Sequence, residues 1–150
     1  MNLAKNLGMK NLSIISHNIA LYQHTPRGHP ECPERYEAIK NRIDGDYKNW
    51  IRVQAPRATR KQLLRVHTEA FLNYIDEIVS GSSKPIGLDP DTWAGKSGVE
   101  AALRGAGGAC LAVDQVMKTE EGASFSAMRP PGHHAEPDKA MGFCVYSSAA

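Results

Sequence analysis

Between Ser97 and Lys118 the chain sets Ala101, Ala102, Gly105, Ala106, Gly108 and Ala109 in a helical pattern, and this run of small residues constrains the fold more than any other feature. Each interior glycine costs a helix about 1 kcal/mol relative to alanine. Close approach to a neighbouring element would offset that cost, so the helix is predicted to pack hard against a sheet. Ser97 and Glu100 have the spacing of a capping box that would open it. The cluster Gly105, Gly107, Gly108 does not read as a dinucleotide loop, because it lies inside the helical pattern and lacks GxGxxG spacing after a strand.

Two short runs can supply strands for that sheet. Leu12 to Ser16 (LSIIS) is a short apolar run that reads as a buried strand, although periodicity alone does not separate it from a helix fragment, and Ser124 to Met128 (SFSAM) ends directly before a rigid polar loop. The stretch His24 to Pro33 holds three prolines and a glycine, which fix φ and remove donors, so it predicts an ordered loop leading into a helix over about 34–43. Thr59 with Gln62 reads as a capping box, with Leu63, Leu64 and Val66 on the buried side. From Thr68, the residues Phe71, Leu72, Ile75, Ile78 and Val79 recur at helical spacing, and Gly81 is expected to take positive φ just past the end. Residues 81–96 form a long Gly-, Ser-, Pro- and Asp-rich connection that should carry function or be mobile. Gly142 to Tyr146 is apolar and leads into what reads as the start of a helix over 147–150. No repeat or composition break divides residues 1–150, and a chain of this length predicts one domain with a real core.

Charge and composition exclude several classes of partner. Lys plus Arg number 18 against 16 for Asp plus Glu, which leaves no basic stripe for nucleic acid. No run approaches the roughly 20 apolar residues that span a bilayer, and residues 1–10 lack the apolar stretch of a signal peptide. Cys32, Cys110 and Cys144 are odd in number and far apart, which suits a reducing compartment; a cytoplasmic location is expected.

Chemistry is concentrated in the loop after the second strand. Imidazole titrates near neutrality, so adjacent His133 and His134 can place a base and a second proton donor around one reacting centre. Pro130 and Pro131 stiffen the approach, Gly132 lets the backbone turn, and open α/β sheets place ligands at the carboxyl ends of strands. His17, His24, His29 and His67 show neither HExxH spacing nor a CxxC companion, so ordinary loop roles are expected of them. Cys144 follows Phe143 and reads as a small buried hydrophobe rather than a nucleophile, and no GxSxG elbow is present. Asp89 and Asp91 are either solvated turn carboxylates or a rim that holds a backbone N–H or the basic end of a substrate.

The string Arg129-Pro-Pro-Gly-His-His-Ala135, followed by Met141-Gly-Phe-Cys144, resembles the signature of the histone deacetylase superfamily, in its class II and acetylpolyamine amidohydrolase-like branch. Gly28 to Arg35, Val66 to Ala70 and Leu88 to Thr92 resemble further parts of its amino-terminal portion. The resemblance implies an α/β fold, a doubly wound parallel sheet of the arginase/deacetylase type, here truncated after its first few strands. It also implies attack of metal-bound water on an acetamide. By match, His133 and His134 would be the paired acid/base residues, Gly142 and Phe143 would line a narrow acyl channel, Asp89 would be the rim carboxylate, and Arg35 would lie near an internal cavity that handles acetate.

The family uses zinc, held by an Asp-x-His pair and a further aspartate that follow the matched segment, with an active-site tyrosine later still. No cofactor is therefore expected in this chain, and no turnover by it alone. Ser147 and Ser148 stand where the family commonly has asparagines. A homo-oligomer is expected, because a sheet cut short leaves an edge and apolar faces to be covered. A site completed by another chain, and a non-catalytic binder of acetylated or cationic ligands, are the alternatives.

Overall fold

The computed structural model describes residues 11–118 and 122–150. The expectation that residues 1–10 carry no leader falls outside them. Strand β1 (Asn11–Ser16) is followed by a 3-10 turn (Asn18–Tyr22), helix α1 (Pro33–Asp46), strand β2 (Ile51–Gln54), and helices α2 (Arg60–Leu63) and α3 (Glu69–Gly81). A small hairpin, β3 (Ile86–Gly87) with β4 (Trp93–Ala94), precedes the long helix α4 (Lys96–Met117) and strand β5 (Gly122–Ala127).

β1 is the middle of a parallel sheet ordered β2-β1-β5, with Ser13 opposite both Ile51 and Ser124. Its apolar run is explained by that position, since a parallel strand covered on both faces is apolar rather than alternating. Ile14 is buried with Ile43 of α1 and with Ala127, whereas Ile15 lies against α4 at Gly108. Burying each isoleucine contributes about 2 kcal/mol. β2 escaped the sequence reading because three of its four residues are exposed and give no apolar signal.

The small-residue helix packs as its composition predicts. A Cβ on Gly107 would lie 2.2 Å from the carbonyl oxygen of Pro56 and 2.6 Å from the nitrogen of Ala58, so the loop after β2 can approach only glycine there. Its start differs from expectation: Gly95 is the N-cap and no side chain caps the helix. Glu100 is instead engaged by Arg104 at 2.8 Å and Arg57 at 3.1 Å, which leaves no capping box with Ser97.

The Thr59–Gln62 capping box is present in both directions, and Thr68 accepts the Phe71 N–H at the head of α3. Phe71, Leu72 and Ile75 bring α3 into the main core with Val99, Ala102 and Ala106 of α4 and with Val145 and Tyr146. Gly81 lies within α3 rather than beyond it, and Ser82 follows in an extended conformation, so the positive φ expected there is not used. α1 begins at Pro33 and runs three residues past Ile43. Among the described residues no helix is long and apolar enough to cross a membrane.

Candidate functional site at the carboxyl edge of the sheet

The tandem-histidine loop is fastened to the sheet by a buried ion pair. Arg129, just past β5, donates from Nε and Nη2 to the two carboxylate oxygens of Glu31, at 2.8 and 2.6 Å. Its Nη1 donates to the carbonyls of Ala20 and Gln23, at 2.7 and 3.0 Å. Arg129 is 3% exposed and Glu31 1%, so both charges are withdrawn from water and each satisfies the other. One side chain thereby joins the end of β5 to the 3-10 turn and to the proline-rich loop. Sequence reasoning did not single out either residue, because the pair joins positions 98 apart and nothing local signals it.

Beyond Arg129 the chain passes Pro130 and Pro131 to Gly132, whose carbonyl accepts the N–H groups of Ser148 and Ala149 at 2.7 and 3.2 Å. Residues 147–150 are thus not helical, as their composition had suggested, but extend beneath the histidine loop. Ser147 donates its N–H to Nε2 of buried His67 at 2.9 Å, so Nδ1 carries the proton and donates to the carbonyl of Pro137 at 3.2 Å. Burial lowers the pKa of His67, against the opposing pull of the backbone carbonyls of Pro137 and Glu136. A residue expected to have an ordinary loop role is therefore a neutral strut between two segments of the site.

His133 and His134 are exposed, with ring centroids 4.2 Å apart and planes inclined by 52°. They line a cleft of about 430 Å³ with Gly142 and Phe143, while Pro30, Glu31 and Arg35 line it from the proline-rich loop and α1. His134 lies against Gly142 so closely that a Cβ there would come within 2.8 Å of the His134 side chain. Its backbone N–H points to Sγ of buried Cys144 at 3.4 Å, and that thiol donates to the Gly142 carbonyl at 3.3 Å. Cys144 is thus both a small buried residue and a tie between the two walls.

Of the two aspartates, Asp91 lines the cleft. The Asp89 carboxylate accepts the Asp91 N–H at 3.0 Å. Burial would raise its pKa, but hydrogen bonds from the Asp91 backbone and from the Thr92 side chain and backbone outweigh burial and leave it below the ordinary range. Arg35 is 3.5 Å from Glu31, on the cleft side of the buried pair. Five of the six residues anticipated for the site therefore border one space, and the sixth, Asp89, shapes the turn that presents Asp91.

Two imidazoles at this separation, on a cleft with one aromatic wall, can accept a proton from a nucleophile and deliver one to a leaving group. Among the described residues no three His, Cys, Asp or Glu side chains gather as they would to hold a metal ion.

Comparison with known proteins bears on what this arrangement belongs to. The sequence model of the histone deacetylase domain matches residues 29–150. A histone deacetylase-like amidohydrolase of Pseudomonas aeruginosa is 36% identical over 126 residues, which cover 82% of this chain and 32% of that protein. A probable deacetylase of Methanothermobacter thermautotrophicus is 33% identical over 137 residues, covering 91% and 40%. The crystal structure of the HDA15 HD domain superposes with a TM-score of 0.79 at 28% identity, covering 91% of this chain and 41% of that one. The chain thus spans from about a third to two fifths of the length of these proteins, and over that span it has their parallel α/β fold. The chain belongs to the histone deacetylase family.

Proposed function

We propose that this chain forms the tandem-histidine half of a deacetylase-type site, binds N-acetylated amines, and does not hydrolyse them unaided. The observation that carries the reading is the single cleft bordered by His133, His134, Gly142 and Phe143. An acetamide lies with its amide near the Gly142 backbone and its alkyl chain along the Phe143 ring. One imidazole takes a proton from water and the other supplies one to the departing amine. Asp91 meets the outer, cationic part of the amine, with Asp89 acting on the rim through the turn that holds Asp91. Arg35 borders the inner end, where released acetate would meet a positive charge.

Acid–base catalysis by positioned side chains supplies about 10²–10⁴-fold, far less than amide hydrolysis requires. The rest must come from an activated electrophile, for which the described residues gather no ligand set. The surface on which the site would be completed is the open edge of the sheet, where β5 pairs on one side only among the described residues and exposes Phe125 to 49%. We therefore expect self-association, with acetylated amine as ligand. The free cysteines Cys32, Cys110 and Cys144 suit a reducing, cytoplasmic setting.

Titration calorimetry with monoacetylated diaminobutane tests the binding reading. Saturable binding to the wild-type chain, weakened at least about tenfold by His133→Ala or His134→Ala, supports it; a tenfold loss is about 1.4 kcal/mol. No binding, or binding indifferent to both substitutions, refutes it. A stable monomer by light scattering refutes the oligomer.

A further inference from the structure

Gly142 and Phe143 both lie in the left-handed region, at φ +56° and +68°. Glycine enters this region freely, but an aromatic residue stays there only where its surroundings over-determine it. For Phe143 those surroundings come from two other segments. Buried Thr92 accepts the Phe143 N–H at Oγ1, 2.9 Å away. The Thr92 hydroxyl proton is shared between the carboxylates of Asp89 and Asp91, with Oδ1 of Asp91 3.3 Å away, which leaves a lone pair for Phe143.

The Phe143 ring itself meets the ring of His29 edge-on, centroids 4.8 Å apart at 73°. His29 is held at both ring nitrogens. Its Nε2 donates to the Asp91 carbonyl at 3.0 Å, and its Nδ1 lies 3.1 Å from both the N–H and the carbonyl of Glu31. The 88–92 turn is closed in turn by the Leu88 N–H donating to the Thr92 carbonyl at 2.7 Å.

We propose that Thr92, backed by His29, is a positioning residue that sets the Phe143 ring as a fixed wall before any ligand arrives, and so decides how broad an acyl group the cleft admits. This rests on the reading above that Phe143 flanks the ligand. A wall set in advance costs no ordering when ligand binds, and a wall that cannot retreat rejects a wider group. Without the Thr92 acceptor, the Phe143 N–H loses its partner and the turn is free to relax to a right-handed conformation, which moves the ring.

The test uses the full ¹⁵N-labelled chain with Thr92→Val, which keeps the shape and removes the acceptor, and Thr92→Ser, which restores it. Amide exchange is followed by NMR at Phe143 and at Ile75 in the core. Affinity is measured for monoacetylated and monobutyrylated diaminobutane. In Thr92→Val the Phe143 amide is expected to exchange at least about tenfold faster while Ile75 is unchanged, and the preference for acetyl over butyryl falls toward unity. Thr92→Ser is expected to return both readouts to wild type.

Unchanged exchange at Phe143 in Thr92→Val overturns the positioning role, as does equal acceleration at Ile75, which would mean general destabilisation. Faster exchange with an unaltered acetyl preference overturns the role in selectivity. A wild-type chain that binds neither amine overturns the underlying reading of the cleft, and the exchange result still decides whether Thr92 holds Phe143.

Discussion

Replacing Glu31 with glutamine removes one charge and little volume, and it breaks the ion pair on which the histidine loop is mounted together with the longer, more exposed contact to Arg35. In the folded protein the Arg129 guanidinium is 3% exposed and makes four hydrogen bonds, two of them to the Glu31 carboxylate. After substitution the carbonyls of Ala20 and Gln23 and one amide oxygen remain, but no counter-charge of comparable burial does. Removing one partner of a buried pair costs about 3–5 kcal/mol. The retained acceptors place Glu31→Gln near the lower end, about 3 kcal/mol. For a chain of this size that lowers Tm by roughly 6–12 °C. Urea unfolding of Glu31→Gln, Arg129→Met and the double variant separates the pair from its surroundings. The double variant should lose much less than the sum of the singles, with a coupling of about 2 kcal/mol or more, because neither charge is then left unpaired. A Glu31→Gln cost below about 1 kcal/mol, or strict additivity, would refute the claim that this pair holds the site to the sheet.

Other outcomes follow from particular contacts. Gly107→Ala drives a Cβ to 2.2 Å from the Pro56 oxygen and should cost about 1–3 kcal/mol or more, whereas Gly105→Ala, whose nearest neighbour is 3.9 Å away, should gain several tenths; urea titration distinguishes them. Gly142→Ala combines φ +56° with a 2.8 Å approach to His134 and should both destabilise by about 1–3 kcal/mol and abolish binding of an acetylated amine in calorimetry. His67 has a folded pKa below 6.5, so the unfolded chain takes up its proton first as pH falls. The associated stability is complete above that value and is lost as pH falls from it toward the folded pKa; His67→Gln should flatten the pH dependence of Tm in that window.

The sequence made legible those parts of the fold whose signals are local. Thr59 with Gln62 announces a helix start because the two side chains satisfy each other's backbone within four residues. The interior glycines of α4 announce close packing because no other benefit offsets their low helix propensity. Ser97 with Glu100 carries the same signature as Thr59 with Gln62 and yet forms no cap, because the helix starts at Lys96 with Gly95 as its N-cap, which leaves Ser97 inside the first turn, and Glu100 pairs with Arg57 and Arg104. β2 was silent because an exposed edge strand needs no apolar pattern. At the site, His133, His134, Gly142 and Phe143 were legible from their string. The parts that were not legible depend on tertiary placement: Glu31 beneath Arg129, Thr92 beneath Phe143, and His67 between Pro137 and Ser147. Each joins segments dozens of residues apart through one hydrogen bond or ion pair, and no periodicity records such a pairing.

The most direct test of the central claim is acetate release from monoacetylated diaminobutane by the purified chain in the presence of added zinc, with His133→Ala as control. The account predicts that the amine binds and that acetate appears no faster than in the control. Steady acetate release at one zinc per chain, abolished by His133→Ala, would contradict it.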